Sequence, residues 1–160
     1  MITKQFLKDE FRSLGMTEGD TIFVHSAYSS LGRAPGGVEG GPQTVNEAIL
    51  EVVGSEGMLI QPTFNYDFLK GVPWDIRTSP SQMGVLTEML RTDPRAKRMF
   101  HPIYSMAAIG AHAEELAAHR TQDCFGETTI FKKFRDWDAK ILILGLIFSK
   151  SISWMHISAL

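Results

Sequence analysis

Apolar residues recur along this chain in two alternating rhythms. Ile2, Phe6, Leu7, Phe11 and Leu14 fall on one face at helical spacing, and Gly15 closes that helix. After the turn Glu18-Gly19-Asp20, the β-branched and aromatic run Thr21–Ser26 has the pattern of a buried strand. Helical spacing returns from Pro42 to Val53 and is closed by Gly54. Met58–Phe64 reads as a second strand, in which Pro62 either ends the pairing or marks an edge. The pattern then predicts a helix over about Ser81–Arg91, a strand over Ser105–Gly110, and helices over His112–Ala118 and Ile130–Trp137. After its lysine, Lys140–Leu146 is uniformly apolar, as a central strand covered on both faces should be.

Helices and apolar strands that alternate along one chain define an α/β protein: a three-layer α/β/α sandwich around a central, largely apolar sheet. No repeat, low-complexity tract or linker divides the chain, so residues 1–160 read as one domain. Two stretches lack periodicity, Ala27–Gly41 and Asn65–Ser81. Irregular segments of this length are usually functional or disordered. The run Ser151–Leu160 reads as a loop entering a helix that stops after about two turns, so a domain truncated at its C-terminus is expected. Trp154, Met155 and Ile157 would then be poorly covered, and such apolar surface favours self-association.

Composition narrows the classes. Of 160 residues, 44% are hydrophobic and 21% charged, ordinary globular usage that argues against a disordered or fibrous chain. Sixteen Lys and Arg against eighteen Asp and Glu give a net charge of −2, which argues against nucleic-acid and anionic-membrane partners. A spanning helix needs about 18 apolar residues, and the longest charge-free apolar stretch, Ile141–Ser149, is half that. Residues 1–9 hold no apolar signal core, so a soluble, cytoplasmic protein is expected. The single cysteine, Cys124, excludes an intramolecular disulfide and a cysteine-based zinc site.

Candidate chemistry gathers at strand ends. His25-Ser26 opens onto the Ser- and Gly-rich loop through Gly37, where backbone N–H groups can approach a phosphate or a pantetheine amide closely. The loop lacks the lysine of a P-loop and the spacing of a dinucleotide fingerprint, and a plain surface loop has the same composition. His101-Pro102-Ile103-Tyr104-Ser105 offers a hydroxyl before the third strand, or a capped structural turn. His156 follows the strongest strand, and an imidazole near neutral pKa can accept a proton, though a packed or solvated histidine fits the same position. Tyr66, Asp67 and Asp75 lie in an aromatic loop that can attract a cation. His112 and His119 are seven residues apart around solvent-facing carboxylates, a poor metal spacing, and Cys124 has no local base.

Taken together, these segments resemble the aminoglycoside 3-N-acetyltransferase family. The matching stretches, in order, are Gly19-Asp20 with Val24-His25-Ser26, Ser29-Ser30-Leu31-Gly32, Pro35-Gly36-Gly37 and Gly57–Phe64. Then come Pro80–Gly84, His101–Gly110, Phe125-Gly126, Leu142–Gly145 and Ser153-Trp154-Met155-His156. The resemblance implies the α/β/α fold and acetyl transfer from acetyl-CoA to an amino group of an aminoglycoside or related amino sugar, with no metal. It also implies coenzyme-binding positions at Ser26, Ser29, Leu31, Gly32 and Ser105, and a general base at His156. Family members usually carry a carboxylate three residues after that histidine, where this chain has Ala159, and they continue beyond this point. Those departures favour a second reading, a family member that binds coenzyme A without turnover. A hydrolase using Cys124 or Ser26 is a third, and it lacks a nucleophile elbow.

Overall fold

The structure is a computed structural model that describes residues 1–121, 123 and 128–147. Its strands are β1 (Thr21–Ser26), β2 (Met58–Pro62), β3 (Lys97–Arg98), β4 (Met106–Gly110) and β5 (Lys140–Leu144), in the sheet order β3-β4-β2-β1-β5. Among the described residues six α-helices accompany them, α1 (Lys4–Ser13), α2 (Tyr28–Leu31), α3 (Gln43–Val53), α4 (Val85–Thr92), α5 (Ala113–Ala118) and α6 (Ile130–Asp136), with a 3-10 turn over Asp67–Lys70. None of the helices among the described residues is long and apolar enough to cross a membrane.

Alternation along the strands sets the layers, because successive side chains point to opposite faces. Ile22, Val24, Leu59 and Ala107 pack on one face against Leu7 and Phe11 of α1, Val45, Ile49 and Val52 of α3, and Leu86 and Leu90 of α4. Phe23, Met58, Ile60, Met106 and Ala108 pack on the other against Leu116 of α5 and Ile130, Phe131 and Phe134 of α6. Both faces are therefore covered, and the three-layer reading holds.

β1 runs parallel to β2 on one side and to β5 on the other, whereas β4 is antiparallel to β2. The β1-to-β2 connection crosses the first face through α3, and the chain reaches β5 across the second face through α5 and α6. β1 is thus the point at which the winding changes direction. Ligands of open α/β sheets bind in the crevice that such a switch opens at the strands' carboxyl ends.

Four local expectations change. The buried stripe of α1 is only Leu7 and Phe11, with Phe6 52% and Leu14 72% exposed, because one neighbouring helix and the sheet rim cover a narrower arc than the apolar positions span. α4 starts after Gly84 rather than at Ser81, since Gly84 holds φ 117°, outside the helical region. Pro62 is the last residue of β2 but marks no edge: the β1 ladder stops at Ile60, while the β4 ladder runs to Pro62↔Met106. Among the described residues β5 lies at the edge of the sheet, pairing with β1 alone, and its residues are partly exposed. An apolar run reports that both faces meet apolar atoms, and says nothing about lateral neighbours.

Candidate active site

The carboxyl ends of β1, β2 and β5 and the amino end of β4 share one rim of the sheet. At that rim a cleft of about 420 Å³ opens between Ser26, Ala27, Tyr28 and Ser29 on one side and Gln82, Met83, Gly84 and Val85 on the other. The first wall is tied to β5: the Ala27 N–H donates to Leu144 O at 2.9 Å, and the Ser30 hydroxyl donates to Gly145 O at 2.8 Å. Ser30 is therefore occupied structurally, while Ser26 and Ser29 line the cleft itself. No side chain caps the first turn of α4, whose Gly84 and Val85 form part of the second wall.

The second wall leads directly to the acidic and aromatic loop. Gln82 accepts the Tyr66 N–H through Oε1 at 2.9 Å and donates from Nε2 to Asp67 Oδ2 at 2.9 Å. Asn65 accepts the Asp67 N–H and donates to Pro80 O. Tyr66 is 37% exposed, with its ring edge-on to Tyr104. Hydrogen bonds from Lys70 and Gln82 hold the Asp67 carboxyl below the usual carboxylate range, so it is an anion at neutral pH. Gln82 thus joins the serine cleft to a carboxylate beside an exposed aromatic ring. Sequence reasoning passed over Gln82 and Met83 as site residues, although the Pro80–Gly84 stretch was itself a signal.

Other predicted positions lie apart from the cleft. Asp75 closes its own turn, accepting the Arg77 and Thr78 N–H groups, and the Arg77 guanidinium drives its pKa down to about 2. Leu31 packs against the first-face core. Gly32 caps α2 at φ −64°, an ordinary right-handed geometry, and an added Cβ would come no closer than 3.7 Å to its surroundings. Its location therefore makes no conformational demand for glycine. Ser105 is fully buried and donates to Thr63 O at 2.8 Å, so its hydroxyl faces protein rather than the cleft. Cys124 and His156 lie outside the described residues. Among the described residues, no cluster of three or more His, Cys, Asp or Glu side chains is arranged to hold a metal.

Two histidines stand at the cleft end of the sheet. His25, edge-on to Phe23 at 4.8 Å, is held neutral by burial, its pKa pushed down to about 4. His101 accepts the Ile103 and Tyr104 N–H groups at Nδ1, at 3.1 and 2.8 Å, which leaves the proton on Nε2. The His25 shift has a consequence for stability. Between about pH 4 and 6.5 the unfolded chain binds the proton that the folded chain excludes. The stabilisation is therefore complete above about pH 6.5 and declines as pH falls towards 4, by up to about 3 kcal/mol. Urea midpoints at pH 7.5 and 5 should differ less for His25→Phe than for the parent chain, and equal differences would contradict this.

An open, doubly wound α/β sheet with a hydroxyl-lined cleft at its switch point is the architecture in which ligands of such sheets sit at the carboxyl ends of the strands. The aminoglycoside 3-N-acetyltransferase family model matches residues 23–158, and the chain belongs to that family. The chain is 32% identical over 164 residues to aminoglycoside N(3)-acetyltransferase IX of Micromonospora chalcea, covering 90% of this chain and 57% of that protein. It superposes on AAC-IIIb solved as a binary complex with CoASH at TM-score 0.84 and 29% identity, over 99% of this chain and 65% of that one. It superposes on AAC-VIa bound to sisomicin at TM-score 0.76 and 27% identity, over 88% of this chain and 58% of that one. The chain spans about three-fifths of the length of the curated relatives it matches.

Proposed function

We propose that the chain binds acetyl-CoA in the Ser26–Val85 cleft and transfers its acetyl group to an amine of an aminoglycoside or related amino sugar. The observation that carries this reading is the cleft itself: a serine-bearing loop at the switch point, joined through Gln82 to the Asp67 carboxylate. Family membership and the complexes of similar proteins with CoASH and sisomicin support it. Ser26 and Ser29, which line the cleft, hold the coenzyme. Tyr66 and Asp67 attract the cationic acceptor, and Asp75 shapes the loop that carries them.

In the reaction the amine nitrogen attacks the thioester carbonyl, a C–N bond forms and the C–S bond breaks. A neutral imidazole takes one proton of the ammonium and returns it to the departing thiolate, and the attacking nitrogen releases a second proton to solvent, leaving a neutral amide and a thiol. Neither histidine at the cleft end suits that task. His25 is too weak a base at a pKa of about 4, and the basic nitrogen of His101 is occupied by two backbone donors. It is the resemblance to the family that puts the base at His156.

Ala159, where a carboxylate would orient that histidine, favours the alternative of coenzyme binding without turnover. A thiol-release assay with acetyl-CoA and a panel of amino sugars separates the readings. Acceptor-dependent release establishes the transferase, acceptor-independent release a hydrolase, and coenzyme binding with no release the non-catalytic alternative. The coenzyme contacts make a finer prediction. Ser29→Ala should weaken coenzyme binding by about fivefold, the loss of one hydrogen bond of roughly 1 kcal/mol. The fold accommodates Gly32→Ala, so calorimetry on that variant reads contact with the coenzyme alone.

A further inference from the structure

Arg98 ends the two-residue strand β3 and reaches under the loop that forms the acceptor side of the cleft. Its Nε lies 3.2 Å from Ser105 Oγ and 3.3 Å from Thr63 Oγ1, and its Nη2 donates to Thr63 O and Ser105 Oγ, each at 3.0 Å. Its Nη1 donates to Ile76 O at 3.0 Å and Ser79 O at 2.6 Å. The guanidinium carbon sits 5.0 Å from the centre of the Trp74 ring. All these acceptors are neutral. Burial, and then the neighbouring Arg91 charge, push its pKa down to about 10, which leaves it cationic at neutral pH.

This arrangement is unusual for a half-buried arginine, whose common partner is a carboxylate. Here the planar fork acts as a fastener. It joins the end of β2 at Thr63, the start of β4 at Ser105, and the far side of the loop at Trp74, Ile76 and Ser79. The chain that leaves at Thr63 and returns past Ser79 carries Tyr66 and Asp67, and leads into Gln82. Fixing both ends of such an excursion removes most of the freedom its tip would otherwise have.

We infer that Arg98 is a positioning residue for the acceptor: by clamping both ends of the 63–79 loop, it sets where Tyr66, Asp67 and Gln82 stand relative to the coenzyme cleft. Ser105 belongs to the same device and acts as an acceptor for the clamp rather than as a coenzyme contact. The inference rests on the proposed transferase reading for its consequence in catalysis, and on geometry alone for the clamp. Lysine keeps the charge but offers a single ammonium in place of the planar fork, so it cannot span all three segments.

The test compares the parent chain with Arg98→Lys and Ser105→Ala by hydrogen exchange, coenzyme calorimetry and steady-state kinetics. For Arg98→Lys, exchange over residues 63–83 should quicken by about tenfold or more while α1, β1 and α3 keep parent rates. The acceptor KM should rise about tenfold, and the coenzyme Kd, through Gln82 and Met83 of the cleft wall, should rise by less. Ser105→Ala, the milder change, should move the same readouts in the same direction by less. Parent-like exchange over 63–83, faster exchange spread evenly along the chain, or an unchanged acceptor KM would overturn the inference. So would a Ser105→Ala chain that loses coenzyme affinity and keeps its acceptor KM. If the parent chain acetylates no amino sugar, the transferase reading fails by itself, and the exchange data still decide whether Arg98 clamps the loop.

Discussion

Gly110→Ala should abolish the fold or lower its stability by more than about 3 kcal/mol, the range of severe core disruptions. Gly110 ends β4 at φ 128°, a conformation that side-chain-bearing residues rarely adopt. It sits opposite Met58 in the β2–β4 ladder. A Cβ at this position would lie 2.2 Å from Gly57 O and 2.7 Å from Met58 Cα. These are backbone atoms of an interior strand, so no side chain can swing aside to make room. Relief requires the two strands to separate, which exposes Met58 and Met106, both fully buried. Against a typical domain stability of about 5–15 kcal/mol, such a loss removes a large share of the margin. Thermal melts followed by far-UV circular dichroism check this, and a midpoint within a few degrees of the parent would contradict it.

His156→Asn should lower acetyl transfer by about a hundredfold or more while coenzyme affinity stays nearly unchanged. Asparagine is close to histidine in size but has no nitrogen that accepts a proton at neutral pH. The amine must lose its proton to become a nucleophile, and the two histidines at the cleft end are poorly suited to take it, for the reasons given by their burial and hydrogen bonds. The rate of the parent chain should rise with pH as the general base loses its proton. That limb should be absent from the variant. Turnover at the parent rate would show that His156 is not the base.

The layers were legible because strand and helix leave different periods in the apolar positions. Thr21–Ser26 was read to the residue, and Gln43–Val53 and Ile130–Asp136 to within one. What escaped was lateral position in the sheet. The apolar run in β5 records only the faces above and below it, and two-residue β3 is too short and too charged to leave a period. The Ser26–Ser29 loop was legible as a candidate because small hydroxyl residues at a strand end carry a recognisable chemistry, and the fold sets Ser26 and Ser29 on the cleft wall. Gln82 was not, because a glutamine in an irregular segment has no signature until the fold brings it between Asp67 and the cleft. Ser105 is ambiguous in sequence for a related reason: a hydroxyl at a strand entrance looks the same whether it meets a ligand or a buried arginine.

The central claim is that coenzyme A occupies the cleft between Ser26–Ser29 and Gln82–Val85. The most direct measurement is a titration of the isotopically labelled chain with coenzyme A, followed by backbone amide chemical shifts. The cleft reading predicts that the largest changes fall on residues 26–29 and 82–85. The groove formed by Leu14, Met16 and Lys140–Ile143 should be unaffected. Shifts concentrated in that groove, or a spectrum unchanged at millimolar coenzyme, would contradict it.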